Sequence, residues 1–124
     1  MINAIRRGSV FWVNDQAITL PPNANRKYHD RRSVVVISGN KYNMNPDWDH
    51  ILVVPTSTQT GLNTPLCVKL GQGLGNLPAK CWARVHMPQP MLKTDLGDRL
   101  GELPEEALNL IMMGLFDYAG ALED

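Results

Sequence analysis

The sequence predicts a mainly β fold, a small barrel of five or six strands completed by one C-terminal helix. Three observations lead there. Short runs rich in Val, Ile, Trp and Cys recur from residue 8 to residue 87, each bounded by Gly, Pro, Asn or Asp. The long segment between the first two runs, residues 14–31, shows no apolar periodicity. The last segment opens "PEEAL", a helix-starting pattern, and then carries a single apolar stripe. The whole chain, residues 1–124, reads as one domain, long enough to bury a core without metal or disulfide staples.

In chain order the predicted strands are "GSVFWV" (8–13), "RSVVVIS" (32–38), "HILVVPTS" (50–57), "PLCVKL" (65–70) and "PAKCWARVHM" (78–87), with "LGDRLGEL" adding a short sixth. β-branched and aromatic residues fit a pleated, half-buried surface, which is what these runs offer. The 14–31 segment between the first two is too long for a tight hairpin and holds Pro21, Pro22, Asn23 and Asn25, so it is expected to be a mobile surface loop with a candidate functional role. "GLNT" and "GQGLGN" mark later turns. At the C-terminal end, Pro104 suits a first helical turn because its missing N–H is not needed there, and Glu105 and Glu106 oppose the helix dipole. The helix is expected to run to about Tyr118, with Ala107, Leu108, Ile111, Met112, Leu115 and Ala119 facing the barrel. Leu110 and Met113 widen that stripe towards core or towards an oligomer interface.

Composition narrows the function classes. No apolar run approaches the roughly twenty residues of a membrane span, and the N-terminal apolar stretch is too short for a signal peptide, so a soluble, cytoplasmic protein is expected. Cys67 and Cys81 form no C-x-x-C pair and lack a clustered His, so neither a metal site, a cofactor nor a disulfide is expected, and both read as small buried hydrophobes. The formal charge is zero, yet it is segregated. All twelve Lys and Arg lie between Arg6 and Arg99 with only six Asp against them, and six acidic residues follow from Glu102 onward. That division permits a basic face for a polyanion, and equally a solvated surface of scattered charges.

Two segments carry chemistry. In "HILVVPTSTQTG" a buried strand ends in Thr56, Ser57, Thr58, Gln59 and Thr60, four hydroxyls within five residues. Such hydroxyls bond nearby amides in a turn, or end a core strand inside a polar site. In "KCWARVHM" period-two alternation sends Cys81, Ala83, Val85 and Met87 to one face and Lys80, Trp82, Arg84 and His86 to the other. The second face offers cations for phosphates and an indole for an unstacked base, or else Trp82 packs beneath the loop. Metal-free RNA cleavage needs proton transfer at the 2′-hydroxyl and at the leaving oxygen, with donors for the charged phosphorane. His86 suits the first task and the planar fork of Arg84 the second. His29 and His50 lie in or beside loops, where solvent exposure is the ordinary outcome.

"RRGSVFWV", "RRSVVVIS", "ILVVPTSTQ", "CWARVHMPQP" and "LPEEALNLI" resemble, in order and spacing, the MazF/PemK (Kid-like) toxins of bacterial toxin–antitoxin systems, from about Arg7 to Leu115. The resemblance implies an SH3-like β-barrel (MazF/CcdB-like) that forms a homodimer. It also implies a sequence-specific, metal-independent endoribonuclease acting on single-stranded RNA, leaving 2′,3′-cyclic phosphate and 5′-hydroxyl ends. A cognate antitoxin with an acidic, disordered tail would occupy the RNA groove. The family's Arg-Pro-Val-Val strand start matches "RSVV", which makes Arg32 the counterpart of its catalytic arginine, with Ser33 in place of the proline. Its Val-Pro-x-Thr-Thr-Gln matches "VPTSTQ" and puts Ser57 at the catalytic threonine. In the PemK branch an Arg-x-Asp pair matches Arg84 and His86, the aspartate being replaced. The loop lacks the family's Glu-Gln, so no catalytic residue is assigned in it. Arg32, Ser57, Arg84 and His86 are therefore the expected catalytic residues, and Thr56, Thr58, Gln59, Lys80, Trp82 and His29 the expected RNA contacts. Two other readings fit the same fold: a gyrase poison like the CcdB toxins, which end in Trp-Gly-Ile where this chain ends "ALED", and a non-catalytic SH3-like binding module.

Overall fold

A computed structural model describes residues 4–20, 26–59 and 64–123. Pro21, Pro22, Asn23, Asn25, Thr60 and Gly61, singled out above, lie outside them. The described residues form seven strands: β1 (Ser9–Asn14), β2 (Arg31–Val36), β3 (His50–Ser57), β4 (Cys67–Leu70), β5 (Cys81–Arg84), β6 (Gln89–Leu92) and β7 (Leu96–Glu102). A one-turn helix, α1 (Asn40–Asn43), follows β2, and the long helix α2 (Glu105–Tyr118) ends the fold. The sheet is antiparallel in the order β4-β5-β3-β2-β1-β7, with β6 also on β3.

Strand β3 organises the sheet. Its first half, His50–Val53, pairs with β6, and its end, Thr56 and Ser57, pairs with β5. Pro55, which has no N–H to give, stands in the gap between these two partners. Of the predicted 78–87 strand only Cys81–Arg84 is strand, β5, and after a turn an additional strand, β6, begins at Gln89. Pro88 and Pro90 hid β6 from the sequence, because proline is tolerated in a strand bonded only along one edge.

The sheet does not close into a barrel, since β4 and β7 at its two ends are not bonded to each other. The "GLGN" turn connects them instead: Asn76 Nδ2 donates to the Leu100 carbonyl at 2.8 Å. A Cβ on Gly101 would lie 2.8 Å from the Gly75 carbonyl oxygen, so glycine is required for that approach.

Alternation buries both faces. Val10, Val35, Val54, Ala83 and Cys81 face α2, which contributes Ala107 and Ile111. Phe11, Val13, Val34, Val36 and Val53 face the opposite way and are covered by Ile18, Leu20 and Met91. The described part of the 14–31 segment is therefore no plain surface loop; it supplies a lid to the second core. On α2 the expected stripe holds except at its end, where Ala119 is exposed, and Leu110, Met113 and Phe116 also face outward.

Candidate active site

The registers set the site. On the α2 face, Val10, Val35 and Val54 form one cross-strand row, and two residues along, Trp12 pairs with Ser33 and Thr56 pairs with Ala83. One end of this face is apolar and the other polar. On the opposite face, the Val34–Pro55 pair extended two places sets Arg32 beside Ser57, whose partner on β5 is Trp82. At this polar end of the sheet a cavity of about 380 Å³ is lined by residues from both faces, among them Trp12, His29, Arg31, Arg32, Thr56 and Ser57.

Arg32 is held at three points. Its Nε donates to Asp15 Oδ1 at 2.6 Å, its Nη2 to Asp15 Oδ2 at 3.4 Å and its Nη1 to the Thr56 carbonyl at 2.7 Å. Of the five guanidinium N–H groups, one on each Nη has no acceptor among the described residues and can meet a phosphate-like one. Asp15 is wholly buried, and also accepts from Arg26 Nη2 and from the backbone N–H of His29, the latter at 2.8 Å. Burial pushes its carboxyl up, but the bonds from Arg32, the His29 amide and Arg26, with the Arg32 charge, outweigh that and hold it below the ordinary carboxylate range. One carboxylate so ties β1, the incoming end of the loop and β2 together.

The hydroxyls at the end of β3 are locked. Thr56 Oγ1 donates to the Ser33 carbonyl at 3.1 Å and lies 2.6 Å from Ser33 Oγ. The Ser33 hydroxyl thus supplies a bond that a proline at this position would lack. Ser57 Oγ accepts the Gln59 N–H at 3.2 Å, a local turn bond, while the residue also lines the cavity. Both readings of the hydroxyl run therefore apply at once.

The strand face expected to be basic and exposed is altered most. Arg84 is 2% exposed: the chain beyond Ser57 folds back over β5, and its guanidinium donates to the Gln59 carbonyl at 2.8 Å and to Cys67 Sγ at 3.6 Å. His86, half-buried, has Nδ1 3.5 Å from Thr64 Oγ1. Lys80 is exposed, its Nζ 5.3 Å from the centroid of the Trp82 ring. The cavity thus gathers Arg32, Ser57, Thr56, Thr58 and His29, whereas Arg84, His86, Lys80, Trp82 and Gln59 are not among its lining residues. Sequence reasoning missed Asp15, Trp12, Arg31 and Ser33. The one available signal for Asp15 was a carboxylate placed directly after a core strand.

Burial, and then the Arg84 charge, lower the His86 pKa from its ordinary value near 6.5. Its titration, followed by NMR, is expected below that value and should rise in Arg84→Gln. The neutral imidazole is favoured in the fold, so its contribution to stability is full above 6.5 and is lost as pH falls through the folded pKa.

A sequence profile for the PemK-like, MazF-like toxins of type II toxin–antitoxin systems matches residues 6–116. The chain belongs to this family. No curated protein matches the sequence. Among solved structures, the PemK/MazF-like chain is similar to an endoribonuclease from a mycobacterial species in complex with its cognate antitoxin, with a TM-score of 0.68, 21% identity, and 96% of each chain covered. It is similar also to a MazE–MazF complex from Deinococcus radiodurans, with a TM-score of 0.70, 17% identity, and coverage of 96% of this chain and 98% of that one. MazF of the same organism without MazE gives a TM-score of 0.70 at 20% identity, covering 96% and 99%. In this PemK/MazF-like chain, no group of three or more His, Cys, Asp or Glu among the described residues is placed to hold a metal. No helix among them is long and apolar enough to cross a membrane.

Proposed function

We propose that this protein is a toxin endoribonuclease that cuts single-stranded RNA at specific sequences without a metal, and that a cognate antitoxin with an acidic tail neutralises it. The observation that carries the reading is Arg32. Its guanidinium is held by a buried carboxylate and a strand carbonyl, with two N–H groups left over, in the cavity that Ser57 also lines. A donor fixed before the reaction begins stabilises charge as it develops on phosphorus. In the reaction the ribose 2′-oxygen attacks phosphorus while the 5′-oxygen leaves, giving a 2′,3′-cyclic phosphate and a 5′-hydroxyl. Arg32 accepts the charge on the non-bridging oxygens, and the Ser57 hydroxyl donates a further bond. His29, the imidazole among the cavity-lining residues, moves the proton. Arg84 positions the end of β3 through Gln59, and Lys80 and Trp82 extend the RNA path from the Ser57 side.

Purified protein incubated with a long single-stranded RNA in EDTA tests this. Discrete fragments with cyclic-phosphate ends are expected; loss of cutting in EDTA with recovery in magnesium overturns the metal-free route, and gyrase-dependent DNA breaks instead would favour a poison. His29→Gln should lower the single-turnover rate far more than His86→Gln does, and the reverse result returns the proton transfer to His86.

The exposed Leu110, Met113 and Phe116 on α2 support a homodimer. Sedimentation at micromolar concentration is expected to give twice the chain mass, and a monomer alone would refute it.

A further inference from the structure

At the mouth of the cavity, Arg31 and Trp12 form a pair that the cleavage chemistry does not use. Arg31 Cζ lies 3.9 Å over the Trp12 ring, and both residues line the cavity. The pairing follows from register. Trp12 sits opposite Ser33, and Arg31, two residues before Ser33, emerges on the same face, one diagonal step from the indole. Arg31 is exposed and Trp12 half-buried, and among the described residues Arg31 makes no ion pair, so its charge is not neutralised locally. Arg32, next in the chain, points to the other face and is anchored by Asp15 and Thr56. Adjacent arginines are thereby separated into a phosphate donor and a second cation spread over an aromatic ring.

An unstacked nucleobase is the ligand such a surface fits. Bases splayed out of single-stranded RNA stack on aromatic rings and on guanidinium planes, and every base has a face for this. A phosphate alone would need the charge and not the ring. We propose that the Arg31–Trp12 pair seats one nucleobase of the bound RNA, adjacent to the phosphate held by Arg32, with the exposed guanidinium as the contacting layer and the indole as its backing. This rests on the reading of the cavity as an RNA site and adds to it a base position.

The experiment uses the full chain and single-stranded RNA oligonucleotides spanning a mapped cut, made non-cleavable by 2′-deoxyribose at the cut nucleotide, or left unmodified if no cut occurs. Affinity is read by fluorescence anisotropy for the wild type, Arg31→Ala and Arg31→Lys, with each nucleotide in turn replaced by an abasic one. At one position beside the cut, base removal is expected to weaken wild-type binding about tenfold. Arg31→Ala should weaken intact RNA by a similar factor and lose nothing more when that base is absent, because variant and abasic RNA delete the same contact. Arg31→Lys keeps the charge and loses the plane, so it should behave as Arg31→Ala in this cycle while retaining the wild-type salt dependence. Losses that add independently, wild-type binding by Arg31→Lys, or no binding of RNA by the wild type would each overturn the base seat. Base-dependent binding without any cutting of the 2′-hydroxyl RNA would retain the seat and refute the nuclease reading. Cutting and binding undiminished in Arg31→Ala would do the opposite.

Discussion

Replacing Arg32 with Ala is expected to lower kcat about a hundredfold or more while changing KM far less. A donor that meets its acceptor mainly in the transition state appears in kcat, and removing one such preorganised donor typically costs about that factor. The geometry sharpens the expectation. Three of the guanidinium N–H groups are engaged with Asp15 and the Thr56 carbonyl, so the remaining two are aimed before substrate arrives. Arg32→Lys keeps the charge but cannot hold both anchors, and it should recover less than a tenth of the lost rate. Ser57→Thr should retain activity, because the hydroxyl survives, and Ser57→Ala should lower it. Single-turnover cleavage of one RNA by all four variants measures this directly. Near-normal rates in both alanine variants would remove Arg32 and Ser57 from the chemistry.

The second large effect is expected at Asp15, where stability and rate should fall together. Asp15 is wholly buried, while the side chains of Arg26 and Arg32 are 7% and 10% exposed. Removing one member of a buried ionic cluster leaves charge without a counter-ion, at a cost of about 3 kcal/mol. For a chain of this size that corresponds to a melting temperature lower by about 10 °C. Asp15→Asn is the sharper test, because its amide retains the shape but turns an N–H towards a guanidinium that can only donate. At a temperature where the variant is folded, kcat should be down tenfold or more, since Asp15 acts through Arg32 as a positioning residue. The pH dependence has a definite sign. The native carboxyl titrates below its ordinary value of about 3.9, so its stabilisation is complete above that value and is lost as pH falls through the native pKa. Acid unfolding monitored by circular dichroism should show this component in the wild type and lack it in Asp15→Asn. An Asn variant with unchanged stability and rate would mean that Arg32 needs no carboxylate to hold it.

The strands and α2 were legible because their signals are local. β3 spans His50–Ser57, as its β-branched run and terminal hydroxyls indicate, and α2 ends at Tyr118, as its stripe does. Arg32 and Ser57 could be named from motifs aligned in order along the chain. Their proximity could not, because it depends on the β2–β3 register, which is set by pairing between residues 17 to 21 apart in sequence. Arg84 shows the limit of alternation most plainly. Period two assigned it correctly to the face of Trp82, but alternation cannot tell whether another part of the chain covers that face, and here Gln59 and Cys67 do. Asp15 shows the converse. In the sequence it is one charge in a loop, and only the convergence of β1, β2 and the chain before His29 turns it into the buried centre that fixes Arg32. The sequence by itself determined the elements other than β6 and the short α1, the segregated charge and the family of toxins to which the chain belongs. Tertiary structure decided which cations are buried and which are exposed, because that depends on long-range packing and on whether each guanidinium finds a partner once water is excluded.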